Sequence, residues 1–156
     1  DYVAENKRKE DNKKNAAKIS EPLLQQFAKQ QGFDIKSVEY TNIDYDGVDY
    51  MLSTQKVSNI PCSFRLIKGT NRMFYLRHSG ALGGFSEAQK ILNDSTKAIA
   101  YITLEYQTKT IRIYSIKDIK TLLNNSNKKL NTGTDGSKYY SIHFNELEPV
   151  FSCQIK

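Results

Sequence analysis

The chain has no tryptophan, two cysteines, two histidines and no long apolar run. Each scarcity removes a class of protein. Nothing in the sequence approaches the ~18 consecutive apolar residues of a membrane-spanning helix. Cys62 and Cys153 are too few for a disulfide framework. With His78 and His143 added, a four-ligand zinc cage would take every cysteine and histidine present. The glycine-rich stretch 80–84 is not followed by Gly-Lys-Ser/Thr, so no phosphate-binding P-loop is written here. No G-x-S-x-G sequence offers a nucleophile elbow. The visible N-terminus lacks a basic-then-apolar secretory pattern. With 156 residues and a mean hydropathy of −0.61, the expectation is one cytoplasmic domain with a polar surface.

Positive charge is what the chain has in excess. Lys and Arg total 23 against 17 Asp and Glu, giving +6 and a pI near 9.2. The excess is uneven. Residues 109–140 carry seven bases and two acids, whereas residues 1–18 mix six bases with four acids. A basic stretch attracts polyanions, nucleic acid foremost. Lys109, Arg112, Lys117, Lys120 and Lys138 are therefore the candidate contacts to DNA phosphate. Many of the ten tyrosines lie near them. Exposed rings among bases can stack nucleobases, though tyrosine is also an ordinary strand residue.

The pattern predicts a charged helix or arm over 1–18, then one α/β domain over 19–156. Ser20-Glu21-Pro22 reads as a helix start and Gly32 as its end. Strand signals follow from Phe33, broken at Asp46-Gly47, whose glycine supplies a positive φ. Runs from Val48, Cys62 and Arg72 continue them. Ser86 to Gln89 has the S-x-x-Q form of a capping box. Residues 98–106 look covered on both faces, which places that strand centrally. Residues 109–114 and 139–144 read as strands, with a helix from Ile116 between them and a tail after the last. The class is α/β (α+β): a mixed sheet flanked by helices.

Within this frame, residues 46–76 carry a recognisable pair of phrases. One is Asp46-Gly47-Val48-Asp49-Tyr50-Met51-Leu52. The other is Phe64-Arg65-Leu66-Ile67-Lys68-Gly69-Thr70. Together they resemble the PD-(D/E)xK nucleases, the restriction-endonuclease-like family. In that family a helix leads into a hairpin, the second strand begins with an aspartate, and the third carries acid-x-Lys. The resemblance implies a restriction-endonuclease-like core that binds DNA. It also implies Mg²⁺ held by Asp49 with Asp46, and Lys68 beside the attacking water. Hard oxygen ligands suit that ion, and a strand's period of two puts an acid and a lysine two residues on along one face.

The sequence departs from the family where Leu66 stands in place of the second acid. Three readings follow. The missing acid comes from elsewhere, with Glu21, Asp46 and Glu87 available. Alternatively the register differs, with Ser63-Phe64-Arg65 as the third-strand motif. Or the domain binds DNA without cutting it. A reading from another class is a protein-interaction accessory domain whose basic surface meets an acidic protein partner. Each acid also has a plain structural role open to it, as a turn or helix-start residue.

Overall fold

The computed structural model describes residues 2–39, 46–80 and 86–156. Nine strands and three helices are assigned among them. The first helix, α1 (Tyr2–Gln31), is continuous through Ser20 and Pro22, so no helix starts at Ser20. Ser20 does not cap. Its Oγ donates back to the Ala16 carbonyl at 2.8 Å, the i−4 bond a serine makes inside a helix. Pro22 lies on an exposed face, where water can satisfy the carbonyl it leaves unpaired. At ~1.5 Å per residue the helix is roughly 45 Å long. Its C-terminal half packs Leu24, Phe27 and Ala28 into the core.

Strands β1 (Asp34–Ser37), β2 (Tyr50–Ser53) and β3 (Ile60–Ile67) run antiparallel in sequence. β3 then pairs in parallel with β5 (Ala100–Glu105), and β5 pairs antiparallel with β6 (Thr110–Ser115). A parallel pair needs a crossover. Here it carries β4 (Met73–Ser79) and the short helix α2 (Glu87–Leu92). Helix α3 (Ile116–Leu123) follows β6. The mixed sheet flanked by helices is therefore present, with every residue of β5 buried at its centre.

Two features lay outside the sequence reading. β4 leaves the main sheet and joins β8 (Lys138–His143) and β7 (Asn131–Thr132) in a separate three-stranded sheet. The tail is a strand as well: β9 (Phe151–Gln154) completes a six-stranded sheet by pairing with β6. Its alternating half-buried and exposed residues suit an edge position. The capping box at α2 also does not form. Ser86 is the N-cap without a side-chain bond, and the Gln89 amide turns toward His78.

The main sheet separates two hydrophobic clusters. Tyr50, Leu52, Cys62, Phe64 and Leu66 meet α1 on one face. Met51, Ile67, Tyr101 and Tyr114 meet α2, α3 and the small sheet on the other. Among the described residues, no helix is long and apolar enough to cross a membrane.

Cys62 has no solvent exposure. Burial pushes its thiol up to about 12; a backbone hydrogen bond at Leu52 opposes the rise, and the charge of Asp49 adds to it. Only the thiolate attacks a thiol reagent. At pH 8 the native protein is expected to label at Cys153, which is half-buried, and not at Cys62. Both should label once it is unfolded. Mass spectrometry of the labelled protein reads this directly, and native labelling at Cys62 would show that the β2–β3 layer opens.

Candidate functional site

The pairing of β2 with β3 ends at Tyr50 opposite Cys62, with the Asp49 N–H bonded to the Cys62 carbonyl at 2.8 Å. Beyond Tyr50 the regular ladder stops, since Asp49 and Tyr50 both stand against Cys62. Ser63 and Arg65 lie on the side of the sheet that carries α2, where Arg65 meets Glu87. Phe64 and Leu66 lie on the side that carries α1. Among the described residues, no strand continues the pairing along β3 beyond Cys62 on that edge. The Asp49 side chain takes up the first N–H there. Its Oδ2 accepts from the Phe64 amide at 2.9 Å.

The Asp49 carboxylate meets the third strand at the Phe64 amide, between Ser63 and Arg65. Lys68 follows the end of β3 and is exposed.

An open cleft of about 730 Å³ wraps the free edge of β3. Asp49, Arg65 and Lys68 line it together with Glu87 of α2 and Arg8 of α1. Arg8 arrives there by helical spacing. Arg8, Asn12 and Ala16 are four residues apart on one face of α1, and all three line the cleft. Continued downward, the same stripe is Ser20, Leu24 and Ala28, all buried. One helix face is therefore core at its lower end and cleft wall at its upper end. Arg77 and Lys90 bring the cations to five, against the carboxylates of Asp46, Asp49 and Glu87.

A hydrogen-bonded set holds the wall. Arg65 pairs with Glu87 Oε1 through NH2, and its Nε donates to the Tyr101 hydroxyl at 3.4 Å. That hydroxyl donates to Glu87 Oε2 at 3.0 Å. Burial pushes the Tyr101 phenol up, Arg65 opposes the rise and Asp49 adds to it. Tyr101 is thus a neutral donor at ordinary pH. The planar guanidinium is pinned by two partners, leaving other N–H groups to face the cleft.

Other predicted residues have different settings. Asp46 is ion-paired with Lys90 at 2.6 Å, which ties its turn to α2. Glu21 is exposed on α1 and does not line the cleft. Its charge acts on Tyr50 instead, whose phenol is raised to about 12, mainly by burial and then by Glu21. Among the described residues, no three of His, Cys, Asp and Glu are grouped to hold a metal ion. Asp46, Asp49 and Glu87 are the carboxylates that line the cleft.

The basic stretch 109–138 does not form one face. Lys109 precedes β6, and Lys117 lies beyond its other end, ~20 Å away at ~3.3 Å per residue. Arg112 is mostly buried against Glu105 at 2.8 Å, with its guanidinium 4.0 Å from the centre of the Phe144 ring. It cannot reach a phosphate from there. Lys120 is paired with Asp94 at 2.7 Å. Lys138 is exposed at the start of β8. The cations that do converge are Arg8, Arg65, Lys68, Arg77 and Lys90, which come from four separate elements and the end of β3.

No protein-family model matches the chain. No curated protein matches it either. Among solved structures it is similar to D212, a nuclease from a fusselovirus. The two share 13% identity with a TM-score of 0.48, over 88% of this chain and 84% of that one.

Proposed function

We propose that this chain is a restriction-endonuclease-like domain that binds DNA in the β3 cleft and hydrolyses its phosphodiester bonds, with Glu87 supplying the acid that the third strand lacks. The observation that supports this most is that Asp49, Arg65 and Glu87 all line the one cleft at the open β3 edge, with Arg65 paired to Glu87. The element order also suits the motif resemblance: a helix, a hairpin and a third strand, followed, after β4, by a helix and a strand.

The residues fit a magnesium ion in kind. Mg²⁺ keeps several waters and takes one or two carboxylates together with phosphate oxygens, so three acids are not required. Asp49 and Glu87 would be those two. When bound, the ion would supply charge stabilisation at the phosphate and a more acidic water. Arg65 would hold a phosphate oxygen through a charge-assisted bond, the role the family gives its lysine. Lys68 and Arg8 would contact the backbone along the same cleft, positioning the strand without reading its sequence.

One observation favours a second reading, binding without cleavage. Glu87 is already engaged by both Arg65 and Tyr101, and Asp49 by the Phe64 amide. The test is incubation of supercoiled plasmid with Mg²⁺, with Mn²⁺ and with EDTA, beside titrations of a DNA duplex at several salt concentrations. Metal-dependent nicking supports hydrolysis. Binding that weakens steeply with salt, without nicking, supports the second reading. Neither result would remove DNA and leave an acidic protein partner as the reading to pursue.

A further inference from the structure

The solvent face of the small sheet holds a second groove, of about 310 Å³, lined by Arg65, Tyr75, Arg77, Ser137 and Tyr139. Arg65 and Arg77 line the main cleft as well, so the two spaces adjoin across these arginines. Strand pairing explains the grouping. Arg77 stands opposite Tyr139 and Tyr75 opposite Ser141, so Tyr75, Arg77 and Tyr139 share one face. The opposite face buries Phe74, Leu76 and Ile142.

The chemistry of this groove is specific. Its lining holds two cations, two phenols and a serine, and no carboxylate. The rings of Tyr75 and Tyr139 meet edge to face with centroids 5.4 Å apart. Tyr75 is 42% exposed, a large fraction for an aromatic residue in the middle of a strand. Its hydroxyl accepts from the Asn71 amide at 3.3 Å, which steadies the ring. Arg65 is paired with Glu87, and Arg77 has no ion pair within contact distance among the described residues, though the charge of Asp135, which accepts from Ser137 Oγ at 2.6 Å, acts on it. Duplex DNA hides its base faces within the stack and offers only backbone and groove edges. Rings and arginines together suit a nucleotide whose base is out of the stack.

We propose that the Tyr75–Tyr139 groove receives an unpaired nucleotide adjoining the phosphodiester in the main cleft, so that the preferred substrate is single-stranded or frayed DNA. This rests on the reading of the main cleft as a DNA site. The phosphate of that nucleotide would lie at Arg65 and Arg77, and its base against one of the two rings.

The test compares three probes of the same sequence: a single strand of twelve nucleotides, the blunt duplex, and the duplex with a single-stranded overhang. The absence of tryptophan leaves tyrosine emission as the protein's own signal, and fluorescein anisotropy gives a second one. The single strand and the overhang are expected to bind about tenfold tighter than the blunt duplex. Tyr75→Ala with Tyr139→Ala should erase that preference while duplex affinity stays within about twofold. Tyr75→Phe with Tyr139→Phe keeps the stacking surface and should retain the preference. If the alanine pair does not fold, Arg77→Gln is the replacement variant, and it should reduce the preference at least threefold. Equal affinity of the wild type for all three probes overturns this proposal and leaves the main-cleft reading standing. Binding to none of them overturns both.

Discussion

If the β3 cleft hydrolyses DNA as proposed, plasmid nicking by Asp49→Asn is expected to fall at least about a hundredfold, with folding unchanged. Asparagine preserves an acceptor oxygen for the Phe64 amide, the bond that closes the free edge of β3. What it removes is the charge. A carboxylate that holds a cation against a phosphate acts on charge that grows in the transition state. Losing one such preorganised charge-stabilising group typically costs ~10²–10³ in rate. Glu87→Gln should fall comparably, and Tyr101 and Arg65 then keep at least one amide partner each.

Lys68→Ala is the informative contrast. Lys68 is exposed, just beyond the end of β3. Its loss should weaken DNA binding a few-fold and lower the rate less than about tenfold. The opposite pattern, a dead Lys68→Ala beside an active Arg65→Lys, would refute the assignment of the lysine's role to Arg65. Circular dichroism and the urea midpoint of each variant separate lost chemistry from lost structure.

Glu105→Ala is expected to lower the unfolding free energy by about 3–5 kcal/mol. Glu105 is 3% exposed at the end of the central strand, and its carboxylate is 2.8 Å from Arg112 on β6. Two charges taken out of water gain little net stability as a pair. Removing one, however, leaves the other buried without compensation. Here the stranded group would be a guanidinium packed over the Phe144 ring, beside a Tyr114 hydroxyl with no partner of its own. Single domains are stable by only ~5–15 kcal/mol, so a loss of this size is a large share. For this chain length it corresponds to roughly 8–15 °C in melting temperature.

The double variant Glu105→Leu with Arg112→Met should recover most of the loss, because it removes both charges and keeps the volume. Equilibrium urea unfolding checks both variants. A single variant within about 1 kcal/mol of the wild type would mean that Arg112 escapes to water when its partner is removed.

Strand β5, the Asp46-Gly47 turn and the helices from Ile116 and around Ile91 were legible from the sequence, because each is a local pattern. In β5 both faces are apolar, as a central strand requires. Gly47 has φ +82, and an added Cβ would lie 2.3 Å from Thr96 Oγ1, so conformation and space both demand glycine there. The aspartate of the second strand was legible for a similar reason, since it sits at a fixed offset from that turn.

Longer-range arrangement was not legible. The split of β4 and β8 into a second sheet, the docking of β9 on β6 and the dispersal of the basic stretch all depend on which strands find each other. Residue type and spacing are silent on that choice, because a strand with one apolar face can serve either sheet. The site shows the same division. The sequence by itself determined that an aspartate opens the second strand and that the third strand has no acid-x-Lys. Tertiary contacts decided which side chains gather at the β3 edge: the Phe64 amide on Asp49, and Arg65 on Glu87. A shift of one residue turns every side chain to the other side of a sheet, and register is set by hydrogen bonds between strands far apart in the chain. Arg8 and Glu87 reach the cleft for the same reason: tertiary packing brings two helices to the one strand edge that β2 leaves open.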